Sequence, residues 1–149
     1  ANTKGDIARA ALESIALELA ENVSIIEENT GTLDEITVAG GLTQLDLFNR
    51  IQSDAFGRKV LRYHNPEATS IGSLIIGGTS AGIFGSIEEG FDRIVLGDPE
   101  IYSPDRANAE IYKNYSRFRK KLYLSLSDSS LFKDVYEYQQ KTENNKAEK

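Results

Sequence analysis

The sequence predicts an α/β chain that is rich in helix and poor in strand, with two strands set against five or six helices. Three observations carry this. Apolar residues recur at three- and four-residue spacing over most of the length, two short runs break that period, and capping residues, glycines and prolines punctuate the joints. Two strands make a poor sheet by themselves. Either the chain is a mostly helical unit carrying a strand pair, or its sheet partners belong to sequence that is not here.

In chain order, Ala1 to about Glu28 reads as one long helix. Thr3-Lys4-Gly5-Asp6 is a capping box, and Ile7, Ala11, Ile15, Leu19, Val23 and Ile26 keep near-helical spacing. Asn29 and Gly31 are stop signals. Glu35-Ile36-Thr37-Val38 reads as a buried strand, and Leu45, Phe48, Ile51 and Ala55 as the face of a second helix closed near Phe56 by Gly57. Lys59 to Tyr63 is a second strand. Asn65 as cap and Pro66 in the first turn start a third helix, whose segment Ala68 to Phe84 is apolar but carries Gly72, Gly77, Gly78 and Gly82. Helical glycines in that number imply a backbone lying close to a neighbour, a sheet or a ligand.

Ser86-Ile87-Glu88-Glu89 is a further capping box and opens a helix through Val95; Gly97 to Pro99 is a turn. Ser103-Pro104 starts a long helix with Ile111, Tyr115, Phe118 and Leu122 on one stripe. Its basic cluster, Arg117, Arg119, Lys120 and Lys121, reads as a solvated face near a helix C-terminus. Ser125 to Ser130 is a break, Leu131 to Tyr138 one more short helix, and Lys141 to Lys149 a polar end expected to be disordered.

The stretch of most interest is Val38-Ala39-Gly40-Gly41-Leu42-Thr43-Gln44-Leu45-Asp46. Thr43 and Asp46 form a T-x-x-D capping box, which places a helix start within two residues of the glycine pair. Glycines between a strand and a helix N-terminus let a ligand approach the backbone, and the free amides there favour a phosphate. A tight turn alone also demands glycine, and the local pattern does not separate the two readings. The spacing is not the G-x-G-x-x-G of a dinucleotide site.

Composition narrows the function classes. With 149 residues, 40% hydrophobic and 27% charged, the chain can bury a core of its own. It has no apolar run of about 18 residues, and no basic stretch followed by an apolar one, so neither a membrane span nor a secretory signal is present. The absence of cysteine excludes disulfides and thiolate metal sites and fits a reducing compartment; the expected location is the cytoplasm. A net charge of −6 and a pI near 4.9 argue against a nucleic-acid partner. The lone histidine, His64, leaves no His-based zinc site and no Ser–His–Asp triad, and is expected in a surface turn. No metal-ligating set is expected. The absence of methionine, an initiator included, reads as a fragment or a processed product.

Several segments together carry a family resemblance. Asp6-Ile7-Ala8-Arg9-Ala10-Ala11-Leu12-Glu13 resembles the second half of the C-terminal signature of the FGGY carbohydrate kinases, ending in A-A-L-E. Gly40-Gly41 through Gln52-Ser53-Asp54-Ala55-Phe56-Gly57 resembles their adenosine-motif block. Glu67-Ala68-Thr69-Ser70-Ile71-Gly72, continuing to Ala81-Gly82-Ile83-Phe84, resembles the block written E-A-T-A-x-G-A-A followed by A-x-G-x-F. With the S-P-D-x-x-N-A-x-x-Y pattern at Ser103 to Tyr112, the match covers nearly all of residues 3 to 123.

The resemblance implies a ribonuclease H-like, actin-type ATPase lobe, incomplete here, spanning residues 1–127 with a C-terminal extension over 128–149. It implies transfer of the γ-phosphoryl of ATP, with Mg²⁺, to a sugar or polyol bound with the help of an N-terminal lobe, roughly 250 residues of which would lie upstream. A homodimer is left open. The nucleotide-side positions it assigns are Gly40, Gly41, Leu42 and Leu45, with Gly41 at the phosphates and Leu45 at the adenine. Two positions depart from the family pattern: Leu45 stands where Asn or Ser is common, and Arg50 where Gln is common. No catalytic residue is assigned, since the base and the sugar-binding residues belong to parts of the family outside this chain; Asp6, Asp46 and Asp54 are not named as the base. Leu45 also leaves room for a second class, a non-catalytic binding or regulatory module of the same fold.

Overall fold

The computed structural model describes residues 2–64, 67–95 and 97–147. Its elements are α1 (Lys4–Thr30), β1 (Glu35–Val38), a 3₁₀ turn (Gly41–Gln44), α2 (Asp46–Phe56), β2 (Lys59–Arg62), α3 (Ala68–Ser80), α4 (Ile87–Ile94), β3 (Glu100–Tyr102), α5 (Arg106–Asp128) and α6 (Leu131–Ala147). Contacts divide the chain into two units, Ala1–Tyr112 and Lys113–Lys149.

In the first unit the sheet is built outward from β2, which pairs parallel with β1 (Ile36 opposite Val60) and antiparallel with β3 (Val60 opposite Tyr102). The sheet thus has a third strand beyond the two expected from the sequence, the three-residue β3. α1 and α2 pack on one another around a cluster of Ala16, Leu17, Phe48, Ile51 and Tyr112. The Tyr112 hydroxyl donates to Glu13 (2.9 Å), and burial pushes its phenol pKa up, keeping that donor in place.

Local chemistry sets the ends. Thr3 and Asp6 close the expected box, the Thr3 hydroxyl accepting from the Asp6 amide and the Asp6 carboxylate from the Thr3 amide. Gly31 (φ +89°) ends α1 and Gly57 (φ +62°) ends α2. Ser86 caps α4 by accepting from the Glu89 amide, but the Glu89 carboxylate takes the Gly85 N–H (2.7 Å) rather than closing a reciprocal box. α5 is capped by Asp105, whose carboxylate accepts from the amides of Ala107 and Asn108 (2.9 Å each). Asp54 of α2 in turn accepts from the Asp105 amide (2.7 Å) and the Asn108 side chain (3.0 Å), so the S-P-D-x-x-N pattern serves to anchor α5. The expected cap Asn65 and the first-turn Pro66 lie outside the described residues.

α3 ends at Ser80, four residues short of the expected Phe84, because Gly82 turns back with φ +75°. That turn lays the buried Phe84 ring against Gly78 and Gly90, where an added Cβ would overlap the ring or lie 2.8 Å from Ile75 Cγ2. Gly77, one residue earlier, is exposed with open space around it. The two glycines should therefore respond in opposite senses. Gly77→Ala is expected to raise stability by up to about 1 kcal/mol, the helix-propensity gain. Gly78→Ala is expected to lower it by about 1–2 kcal/mol, since overpacking outweighs that gain. Urea denaturation of both variants checks this, and shifts of the same sign would contradict it.

The loop into β1 is held by Glu27. Its carboxylate accepts from the Leu33 amide (3.0 Å) and pairs with Arg58, Oε1 to Nε at 3.0 Å. The Leu33 amide first, and then Arg58, hold its pKa below the ordinary 4.5. The unfolded chain thus takes up this proton at a higher pH than the folded one. The contribution is complete above about pH 4.5 and is lost as pH falls through the lower folded value. Thermal midpoints measured between pH 6 and 3 should fall less steeply for Glu27→Gln than for the unaltered chain.

In the second unit, α5 runs unbroken to Asp128, and the break narrows to Ser129 and Ser130, the latter at φ +61°. The Tyr123 and Phe132 rings lie 5.8 Å apart across it. Arg117, Lys120 and Lys121 are exposed, as a solvated face requires, while Arg119 is half-buried. α6 extends past Tyr138 to Ala147, through most of the polar end expected to be disordered; its Lys, Glu and Gln are good helix formers.

Candidate nucleotide site at the glycine corner

The corner after β1 is built from backbone and fixed by side chains behind it. Gly40 sits at φ +107°, ψ 174°, a conformation that glycine adopts freely and other residues only with strain. The chain then makes a 3₁₀ turn, Gly41–Gln44, before α2 begins at Asp46. The expected Thr43–Asp46 capping box does not form. The buried Thr43 hydroxyl donates back to the Gly40 carbonyl (2.7 Å), and Leu45 stands at the α2 N-cap with no side-chain hydrogen bond. Asp46 is drawn away to the sheet, where it accepts from the Tyr102 hydroxyl (3.0 Å) and faces Arg62 at 3.9 Å. Burial pushes the Tyr102 phenol up, so it remains a donor.

Three residues that sequence patterns did not single out as site residues hold the turn in place. The Thr43 carbonyl accepts from the fully buried Asn49 side chain (2.8 Å) and from Arg62 Nη1 (3.0 Å). Arg62 is itself anchored by Glu100 on β3 (2.9 Å). Ser53, also fully buried, has its hydroxyl 2.9 Å from both the Arg58 and Tyr102 carbonyls, which ties α2 to β2 and β3. Asn49 and Ser53 fall within the block that resembles the adenosine motif, and the structure places both on the buried side of α2.

The corner is open. Gly40 is half-buried and Gly41 exposed, and among the described residues, chain neighbours aside, no heavy atom lies within 4 Å of a Cβ built on either. Both line a polar cavity of about 390 Å³ whose other wall is the start of α3: Glu67, Ala68 and Thr69. Neither Glu67 at the N-cap of α3 nor Gly40 at that of the 3₁₀ turn supplies a side-chain cap, and both starts border this cavity. Gly40, Gly41 and Leu42 also border a second, apolar groove of about 520 Å³ against α1. Leu42 and Leu45 are about half exposed, and Leu45 lines neither cavity. Of the four expected positions the structure brings Gly40 and Gly41 to the polar cavity, Leu42 to its edge on the apolar side, and leaves Leu45 apart.

Among the described residues no group of three or more His, Cys, Asp or Glu side chains could hold a metal ion. Among the described residues Glu67 is the one carboxylate lining the polar cavity, and one carboxylate with substrate phosphates is a common way to hold Mg²⁺. Asp6 serves as a cap and Asp54 as the anchor of α5. His64 lies in a bend beyond β2. No helix among the described residues is long and apolar enough to cross a membrane.

Residues 1–81 match the FGGY family of carbohydrate kinases, C-terminal domain. The chain belongs to that family. Its relatives include a glycerol kinase of Bordetella parapertussis, 40% identical over 88 residues (58% of this chain, 17% of the relative). A xylulose kinase of Staphylococcus epidermidis is 27% identical over 122 residues (82% of this chain, 24% of the relative). Among solved structures, the xylulose kinase of Rhodospirillum rubrum superposes with a TM-score of 0.70 at 24% identity, covering 86% of this chain and 26% of that one. The Plasmodium falciparum glycerol kinase with ADP does so with a TM-score of 0.62 at 25% identity, covering 81% and 24%. The chain thus spans about a quarter or less of the FGGY kinases it matches, and shares their fold as a helix-rich portion with a small sheet.

Proposed function

We propose that this chain is the nucleotide side of an ATP-dependent carbohydrate kinase, a portion of a ribonuclease H-like, actin-type lobe with Gly40, Gly41 and Leu42 beside the phosphates. The open corner carries the reading: two glycines without side-chain cover face the start of α3, where Glu67 supplies no side-chain cap, across a polar cavity. Uncovered amides at a helix start favour phosphate oxygens, and the absent side chains let those oxygens come close. ATP bound there would supply the γ-phosphoryl group. Mg²⁺ would be held chiefly by its phosphates, with Glu67 in reach of the same cavity. The acceptor is a sugar or polyol hydroxyl, bound by residues outside this chain.

Phosphoryl transfer depends on positioning and charge stabilisation across a closed cleft, so one wall should not turn over alone. The expected result is ATP-dependent phosphorylation of a pentulose or polyol by the full-length kinase, and none by the 149-residue chain. A coupled ADP-release assay on both checks this; turnover by the chain alone would contradict it. Leu45 favours a second reading, a non-catalytic module, because it stands exposed with no polar side-chain atom where the family places an adenine contact. Calorimetric titration of the full-length protein with ATP–Mg²⁺ separates the two, and no heat at millimolar nucleotide would favour the module.

A further inference from the structure

We propose, resting on the nucleotide reading above, that Arg62 is a positioning residue for ATP. It acts through the Thr43 carbonyl, which fixes the peptide planes of the 3₁₀ turn beside the phosphates.

A carbonyl oxygen has two lone pairs, and at Thr43 both have a donor. Asn49 Nδ2 donates from α2 at 2.8 Å, and Arg62 Nη1 from the end of β2 at 3.0 Å. Two donors from different elements stop the Thr43–Gln44 peptide from rotating. In a trans peptide the N–H points opposite to the C=O, so the Gln44 amide is aimed as well. A 3₁₀ turn over Gly41–Gln44 bonds each amide back three residues, which sets the Gln44 amide on the Gly41 carbonyl. The Gly41–Leu42 peptide follows, and with it the Leu42 amide that the nucleotide reading places beside the phosphates.

Arg62 is held so that Nη1 faces Thr43. Its Nη2 pairs with Glu100 on β3 at 2.9 Å. The competitor is Asp46, whose Oδ1 lies 3.9 Å from Nη1, too far for a hydrogen bond. The Tyr102 hydroxyl keeps it there by donating to the same oxygen at 3.0 Å. Tyr102 is 5% exposed, and the Arg50 guanidinium lies 5.9 Å over its ring. Arg50, where the family commonly has Gln, thus belongs to the same assembly.

Folding alone does not account for this guanidinium. The Arg62 side chain is 15% exposed, and among the described residues its buried Nε has no hydrogen-bond partner. A buried donor left unpaired costs stability. The pair with Glu100 adds little, since that carboxylate is 40% exposed. Without Arg62 the Thr43 carbonyl keeps Asn49 but loses the donor that locks its plane. Removing the side chain therefore disturbs the turn more than the fold. Lysine is no substitute, because one ammonium does not reproduce a fork that reaches two partners.

The test uses the full-length kinase, with calorimetric titration by ATP–Mg²⁺, steady-state kinetics and a urea melt. Arg62→Met should weaken ATP–Mg²⁺ binding and raise the ATP KM by about tenfold. The sugar KM and kcat should stay within about threefold, and the urea midpoint within about 0.5 M. Arg62→Lys should bind ATP no more than about threefold better than Arg62→Met. Glu100→Ala should weaken ATP binding about threefold, although Glu100 does not line the polar cavity. In the Arg62→Met background it should weaken binding no further, because its route to the corner runs through Arg62. A merely structural role would move the urea midpoint with the affinity and make the two effects multiply. That result, unaltered ATP affinity in Arg62→Met, or full recovery in Arg62→Lys would overturn the proposal. Should Arg62→Met not fold, Glu100→Ala decides alone: an unaltered ATP affinity overturns the proposal and a threefold loss supports it. Gly41→Asp separates the two readings. Affinity lost there but kept in Arg62→Met overturns the role of Arg62 alone, whereas affinity kept in both removes the nucleotide reading and this one with it.

Discussion

Truncating Phe48 to alanine is expected to remove about 3–5 kcal/mol of stability, a large share of what a domain of this size has. Phe48 is 2% exposed and belongs to the cluster with Ala16, Leu17, Ile51 and Tyr112, where α1, α2 and the start of α5 meet. Its loss leaves a void that four partners from three helices cannot close together, because their own positions are set elsewhere: Tyr112 by its bond to Glu13, and the start of α5 by Asp54. The next residue, Asn49, holds the Thr43 carbonyl, so loosening this turn of α2 also loosens the glycine corner. The neighbouring Leu47, 46% exposed, is the control; Leu47→Ala should cost under about 1 kcal/mol. Urea denaturation followed by circular dichroism measures both. A Phe48→Ala midpoint close to that of the unaltered chain would mean that the α1–α2 joint is not the main core.

How much of this could be read from the residues follows from where each feature is decided. α1, β1, α2 and β2 were legible because their signals are local: the Thr3–Asp6 box, the β-branched run at Glu35, and the left-handed Gly57. β3 was not legible. Three residues between Pro99 and Ser103-Pro104 show no period, and only the ladder with β2 makes them a strand. The Thr43–Asp46 box failed because two competing bonds won: Thr43 turned inward to the Gly40 carbonyl, and Asp46 was taken by Tyr102, 56 residues away. Tertiary partners of that kind cannot be seen in a four-residue pattern.

The site divides in the same way. A strand followed by two glycines marks a place where backbone is exposed, and that is where the open cavity lies. What holds the corner, Asn49 and Arg62 converging on one carbonyl, depends on contacts 6 and 19 residues apart in sequence. The glycines of α3 show the limit most plainly. Gly77 and Gly78 are identical in sequence terms, yet one faces solvent and the other a phenyl ring.

In the full-length kinase, Gly41→Asp is expected to lower ATP affinity by about 100-fold or more while leaving stability within about 0.5 kcal/mol and the sugar KM unchanged. The first half follows from charge. A carboxylate at the proposed phosphate corner sets like charges together in a partly desolvated space, which costs several kcal/mol. The second half follows from geometry. Gly41 is exposed, its φ is not in the left-handed region, and nothing lies within 4 Å of an added Cβ, so the fold has no reason to resist a side chain. Gly40 offers no such separation, because its φ of +107° makes Gly40→Ala a strained backbone costing about 1–3 kcal/mol before any ligand is considered. Gly41 is therefore the position at which binding and folding can be told apart. Calorimetric ATP titration beside a urea melt reads both. A folded Gly41→Asp enzyme with unaltered ATP affinity would place the phosphates elsewhere, and the open corner would then be a turn and nothing more.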